Sequence, residues 1–198
     1  QYQPSIYGQF LTDDYGNGPN EEELAVIIQK LRKYARCDKK DAKWAHRIDQ
    51  QLNDTGETLD WEGGDRRYLP NTTHRWKHVQ TLRNFCNAVS SRLHDPPRAD
   101  YRPRPLAEYG YTNNTHRRFK EHTQHEKSNQ LMNLTEAICV KYFPQYGTNQ
   151  FVLFKIFQHE QGAIAEVLIN RIGKGTISSG YGFSHHPAGL NKLSAGKV

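Results

Sequence analysis

Two apolar runs near the C-terminal end, Gln150-Phe-Val-Leu-Phe-Lys-Ile-Phe157 and Ala163-Ile-Ala-Glu-Val-Leu-Ile169, carry the strongest β signal in the chain. The first is rich in aromatic and the second in β-branched residues, and His159-Glu160-Gln161-Gly162 between them has the length and composition of a hairpin loop. Each run is almost continuously apolar, which predicts strands covered on both faces, one of them by helices. Because a lone hairpin is only marginally stable, Ile177 to Phe183 is read as a possible third strand.

Upstream, the apolar spacing changes to that of helices. Asn20 is a good N-cap, Glu21 to Glu23 sit where the helix dipole favours anions, and Leu24, Ile27, Ile28, Leu31 and Ala35 follow on one face. This predicts a helix over 21–36. Trp44, Ile48 and Leu52 suggest a second over 39–53, and the stripe Trp76, Val79, Leu82, Cys86, Val89 and Leu93 a third, ended by Pro96 and Pro97. Residues 114–127 have fair helix propensity but a poor apolar face. From about 128 to 142, Leu131, Leu134, Ile138 and Tyr142 restore one, closed by Pro144. The first 19 residues hold Pro4, Gly8, Gly16, Gly18 and Pro19 and read as an extended arm. The expected architecture is therefore α+β: an arm over 1–19, then one domain over 20–198 whose helix-rich N-terminal part packs on a small C-terminal antiparallel sheet, with the hairpin at about 150–170.

At 198 residues the chain is long enough for one buried core, and 22 aromatic residues argue against disorder despite a mean hydropathy of -0.90. No run approaches the roughly 18 apolar residues of a membrane span. Formal charge is +6, but unevenly placed. Residues 1–24 hold five acids and no Lys or Arg, whereas residues 25–127 carry a net charge of +8. Within that basic middle, Arg75-Trp76-Lys77 and Arg117-Arg118-Phe119 place aromatics among cations. Such clusters can neutralise and stack on an anionic partner, whether a protein, a polyanionic surface or nucleic acid.

Compartment is read from two features. The chain begins at Gln1, as after removal of a leader, and four N-x-T sequons occur at Asn53, Asn71, Asn113 and Asn133, against about 1.3 expected from composition. Together they suggest a secreted glycoprotein. Three widely spaced cysteines fit one disulfide plus one thiol, with Cys37 pairing to Cys86 or Cys139.

Catalytic signatures are sparse. There is no GxSxG elbow, no P-loop, no GxGxxG after a strand, no HExxH and no CxxC, so no cofactor or metal is implied. The chemistry-bearing residues that the expected sheet would gather are His159, Glu160, Arg171, His185 and His186. If they converged, His and Glu could serve as acid and base, and Arg could stabilise a phosphorane, as in a metal-independent ribonuclease. The main expectation is non-catalytic recognition of a host or cell-surface partner through the basic middle, as an effector- or toxin-like protein. The alternative is the secreted phosphodiesterase.

Overall fold

The computed structural model describes residues 3–52, 59–69, 75–94, 104–126, 128–158 and 160–185. The elements in chain order are β1 (Ser5–Thr12), α1 (Glu21–Arg36), α2 (Ala42–Asp49), α3 (Arg75–His94), β2 (Ala107–Thr112), α4 (Thr115–Thr123), α5 (Gln130–Tyr142), β3 (Gly147–Lys155) and α6 (Gln161–Ile172). Short 3-10 turns occupy Lys39–Asp41 and Ile177–Ser179. One antiparallel sheet is formed, in the order β2-β1-β3.

The α+β class holds, but the expected C-terminal sheet does not form. The run from Gln150 lies in β3, as a strand, but its partner is β1. The run from Ala163 is α6. A continuous apolar stretch is compatible with either a buried strand or an all-round apolar helix, and Ala, Glu and Leu tip the local preference towards the helix. The tertiary contact that holds it is specific. Gly162 lets the Tyr111 ring pack directly on the helix backbone, since a Cβ there would fall 2.6 Å from that ring.

Residues 5–12, expected as part of an extended arm, are the central strand. Ser5 to Gln9 are all buried, and Leu11 is 2% exposed. The Pro and Gly punctuation flanks the strand except at Gly8, where the Phe10 ring and Leu153 lie over the open Cα. Ile177 to Phe183 adds no third strand beyond an isolated parallel bridge, Ala107 to Gly182, at the edge of β2.

The helical expectations fare better. α1 spans the predicted residues, and Asn20 and Glu23 close a capping box, with reciprocal 2.9 Å hydrogen bonds. Its stripe packs antiparallel to α3 around Leu24, Ile28, Leu31, Leu82, Phe85 and Val89. α5 adds Leu134, Ile138 and Cys139 to the same core. Among the described residues no helix is long and apolar enough to cross a membrane.

Candidate functional site

Of the residues expected to make a catalytic cleft, the three described ones, Glu160, Arg171 and His185, are dispersed. Glu160 precedes α6 and Arg171 is in its last turn. Eleven residues at about 1.5 Å each separate their backbones by roughly 16 Å. His185 lies elsewhere, lining a cavity of about 240 Å³ with His78, Leu82, Leu131, Leu134 and Phe183. His159 and His186 lie outside the described residues.

The two expected basic clusters occupy separate elements. Arg75 at the start of α3 donates to the Gly64 carbonyl at 2.5 Å and approaches Cys37 Sγ at 3.4 Å. Trp76 is 65% exposed, with Lys77 Nζ 5.6 Å from its ring centroid. On α4, Arg118 and Phe119 are committed to the sheet. Arg118 Nε donates to the Tyr7 hydroxyl at 3.1 Å, its Nη1 meets Glu121 at 3.3 Å, and Phe119 stacks edge-on to Tyr7 at 6.0 Å. Arg117 faces outward, 3.7 Å from Glu121.

The three cysteines are free thiols, so the expected pairing of Cys37 with Cys86 or Cys139 is not made. Cys86 and Cys139 are core side chains on α3 and α5, where burial pushes both thiols up to about 12. Cys37 caps α1 in the left-handed region at φ 55°. Of the four sequons, Asn113 is exposed, whereas Asn133 is buried and bonded to Ser128. Asn53 and Asn71 lie outside the described residues.

A buried polar constellation covers the face of the sheet beneath α4. Tyr7, Gln9, Glu108, Arg118 and His122 meet there, and the His122 ring lies 5.5 Å from that of Tyr7. Burial raises the Tyr7 hydroxyl to about 12 and the Glu108 carboxyl to about 7, the latter against the pull of Arg118. Burial, reinforced by Arg118, holds the His122 imidazole down to about 3. A protonated Tyr and a neutral His beside a carboxyl raised by its burial suit a polar core. None of these side chains lines either cavity named in this section.

The larger concavity, about 840 Å³, is a groove between the antiparallel α1 and α3. Its floor is Ala25, Ile28 and Leu93. Arg36 and Arg83 stand at one end, Arg32 is in the middle, and Glu21 and Glu22 share the other end with His94. Arg32 is held in place by neutral acceptors: its Nη2 donates to Asn87 Oδ1 and Ser90 Oγ at 3.1 Å each, and to the Cys86 carbonyl at 3.5 Å. Among the described residues no carboxylate pairs with Arg32, Arg36 or Arg83. Three guanidinium groups thus face one groove uncompensated, which favours an anionic group there.

Sequence reasoning located the basic middle but missed this set. Arg32 and Arg36, four residues apart on α1, read as an ordinary solvated helix face, and nothing local links them to Arg83. Among the described residues no cluster of three or more His, Cys, Asp or Glu side chains could hold a metal ion. The chain matches no known protein family, no curated protein and no solved structure.

Proposed function

We propose that this is a secreted recognition protein of the effector or toxin kind, and that it acts by receiving an acidic segment of a host or cell-surface protein in the α1–α3 groove. The observation that carries the reading is the convergence of Arg32, Arg36 and Arg83 on one groove, with no carboxylate paired to them among the described residues. Glu21 and Glu22 at the far end favour a protein over a uniform polyanion, because a continuous phosphate or sulfate backbone would meet like charge there. An apolar floor between two helices suits the packed face of an amphipathic peptide.

The test is selection of random 15-residue peptides on the immobilised chain, followed by affinity measurement against an Arg36→Glu/Arg83→Glu variant. Peptides bearing acidic residues at one end are expected, with binding at least tenfold weaker to the variant, about 1.4 kcal/mol. Equal binding to both proteins would refute the assignment of the groove. Heparin or RNA bound as tightly as the peptides, with a steep salt dependence, would point to a polyanion instead. RNA cleavage abolished by Arg171→Ala would favour the phosphodiesterase reading. For secretion, a mass decrease on enzymatic deglycosylation, made smaller by one glycan in Asn113→Gln, is the expected outcome in a eukaryotic host.

A further inference from the structure

The two edges of the sheet are treated differently. On the β2 side the outward main-chain groups are closed: Ala107 exchanges bonds with Tyr181 and Phe183, the Tyr109 carbonyl accepts from Asn170, and the Tyr111 N–H meets Glu166. On the β3 side, among the described residues, the edge is covered at its start, where Thr148 N–H donates to Glu136 at 3.1 Å. The register and the Leu11 to Leu106 bond place the outward groups of β3 at Thr148, Gln150 and Val152. Among the described residues, no hydrogen bond is made to the outward groups of Gln150 or Val152.

The same strand exposes apolar side chains on both faces. Phe151, Val152, Leu153, Phe154 and the following Phe157 are between 36% and 83% exposed. An open, uncharged, apolar edge is what soluble proteins ordinarily avoid. We propose that β3 pairs with β3 of a second copy of this chain, antiparallel about a twofold axis, to make a continuous six-stranded sheet.

Three observations select a second copy as the occupant. The edge is self-complementary: with Phe151 on the axis, Gln150 of each copy faces Val152 of the other, so the two outward residues satisfy each other. Residues 147–154 carry no charge, so two copies meet there without the repulsion that a chain of net charge +6 would suffer over its basic surfaces. The area is also adequate. The exposed fractions of these five side chains amount to on the order of 450–500 Å² per copy, so their full burial would set an upper bound of about 1,000 Å² for the pair, the size at which a specific interface begins. A lipid surface could cover the side chains but not the main-chain donors and acceptors.

The α6 stripe Ile164, Leu168 and Ile172 is exposed as well. It belongs to the helix that packs over Tyr109, at the far end of the aromatic row Tyr109, Phe10 and Phe151.

Sedimentation equilibrium of the full chain at about 100 µM, where micromolar affinity would be saturated, is expected to give twice the 22.9 kDa chain mass. Gln150→Pro removes one outward N–H without touching the β1 ladder, and Val152→Lys charges the edge. Each is expected to weaken dimerisation at least tenfold, with the far-ultraviolet circular dichroism unchanged. Should either variant fail to fold, hydrogen exchange on the wild type supplies the same test: the amides of Gln150 and Val152 become protected as concentration rises. A wild-type monomer at 100 µM, a dimer that survives both folded variants, or exchange at these amides that does not respond to concentration would each overturn the proposal. None of these readouts involves the α1–α3 groove, so its assignment stands or falls separately.

Discussion

Asp49→Asn offers a measurement in which the sign of the effect, as well as its size, follows from the structure. Asp49 is 4% exposed; one carboxylate oxygen accepts a short hydrogen bond from the Tyr34 hydroxyl, and Oδ2 is buried without a partner. Burial is the largest influence and raises the carboxyl from 3.8 to about 6, against the opposing pulls of the Tyr34 bond, a main-chain bond from Arg67, and the charges of Arg66 and His46. A folded-state pKa above the unfolded one means that the native state holds the extra proton between about pH 4 and 6. Stability is then highest on the acid side of this window and falls as pH rises through it. Two units at about 1.4 kcal/mol each make the ionised carboxylate a cost of roughly 3 kcal/mol above pH 6.

Asparagine keeps the acceptor for Tyr34 and removes the charge. Weakening of the charge-assisted bond and a new buried N–H₂ return about 1–2 kcal/mol, so a net gain of about 1–2 kcal/mol is expected at pH 8. The constant part cancels in the pH dependence. Urea unfolding of both proteins, followed by tryptophan fluorescence from pH 4 to 8, should show the variant gaining about 3 kcal/mol relative to wild type across the range. A stability difference that stays flat within about 0.5 kcal/mol would refute the reasoning, because it would mean that Asp49 is not held protonated by its burial.

Other outcomes follow from the same packing. His122 is held well below an ordinary imidazole, so the native state takes up its proton late, and stability should fall as pH drops below about 6.5 towards 3, by about 1.4 kcal/mol per unit; His122→Phe should flatten that acid limb in the same unfolding series. Gly182→Ala would set a Cβ 1.9 Å from the Gly175 backbone and push the 181–184 segment off the β2 edge. A loss of about 1–3 kcal/mol is expected, read as a lowered midpoint in thermal unfolding.

Parts of this architecture were legible because their causes are local. α1 could be read almost to the residue: its cap, first-turn acids and apolar spacing all lie within sixteen consecutive positions. The α3 stripe is also local, but Trp76, read as part of it, is 65% exposed, and Phe85 fills the core instead. α4 was harder, because its N-cap Asn114 is local while its anchoring surface, Tyr7, is 112 positions before Phe119. The groove is legible only in fragments, since Arg32 and Arg36 share a helix face by spacing, but Arg83 joins them through the antiparallel approach of α3.

By itself, then, the sequence determined the mixed class, the first and third helices, the basic middle and the apolar character of 150–169. Tertiary structure decided what that apolar character becomes. Residues 5–12, whose Ile6, Tyr7, Phe10 and Thr12 suit a strand but whose flanks are punctuated by Pro and Gly, become the central strand because two other strands satisfy their main chain on either side. The run from Ala163 is a helix because Gly162 accepts the Tyr111 ring and because Glu166 and Asn170 close the edge of β2. Hydrogen bonding between strands and ring-on-backbone packing join residues more than 40 positions apart, a range at which neither propensity nor periodicity operates.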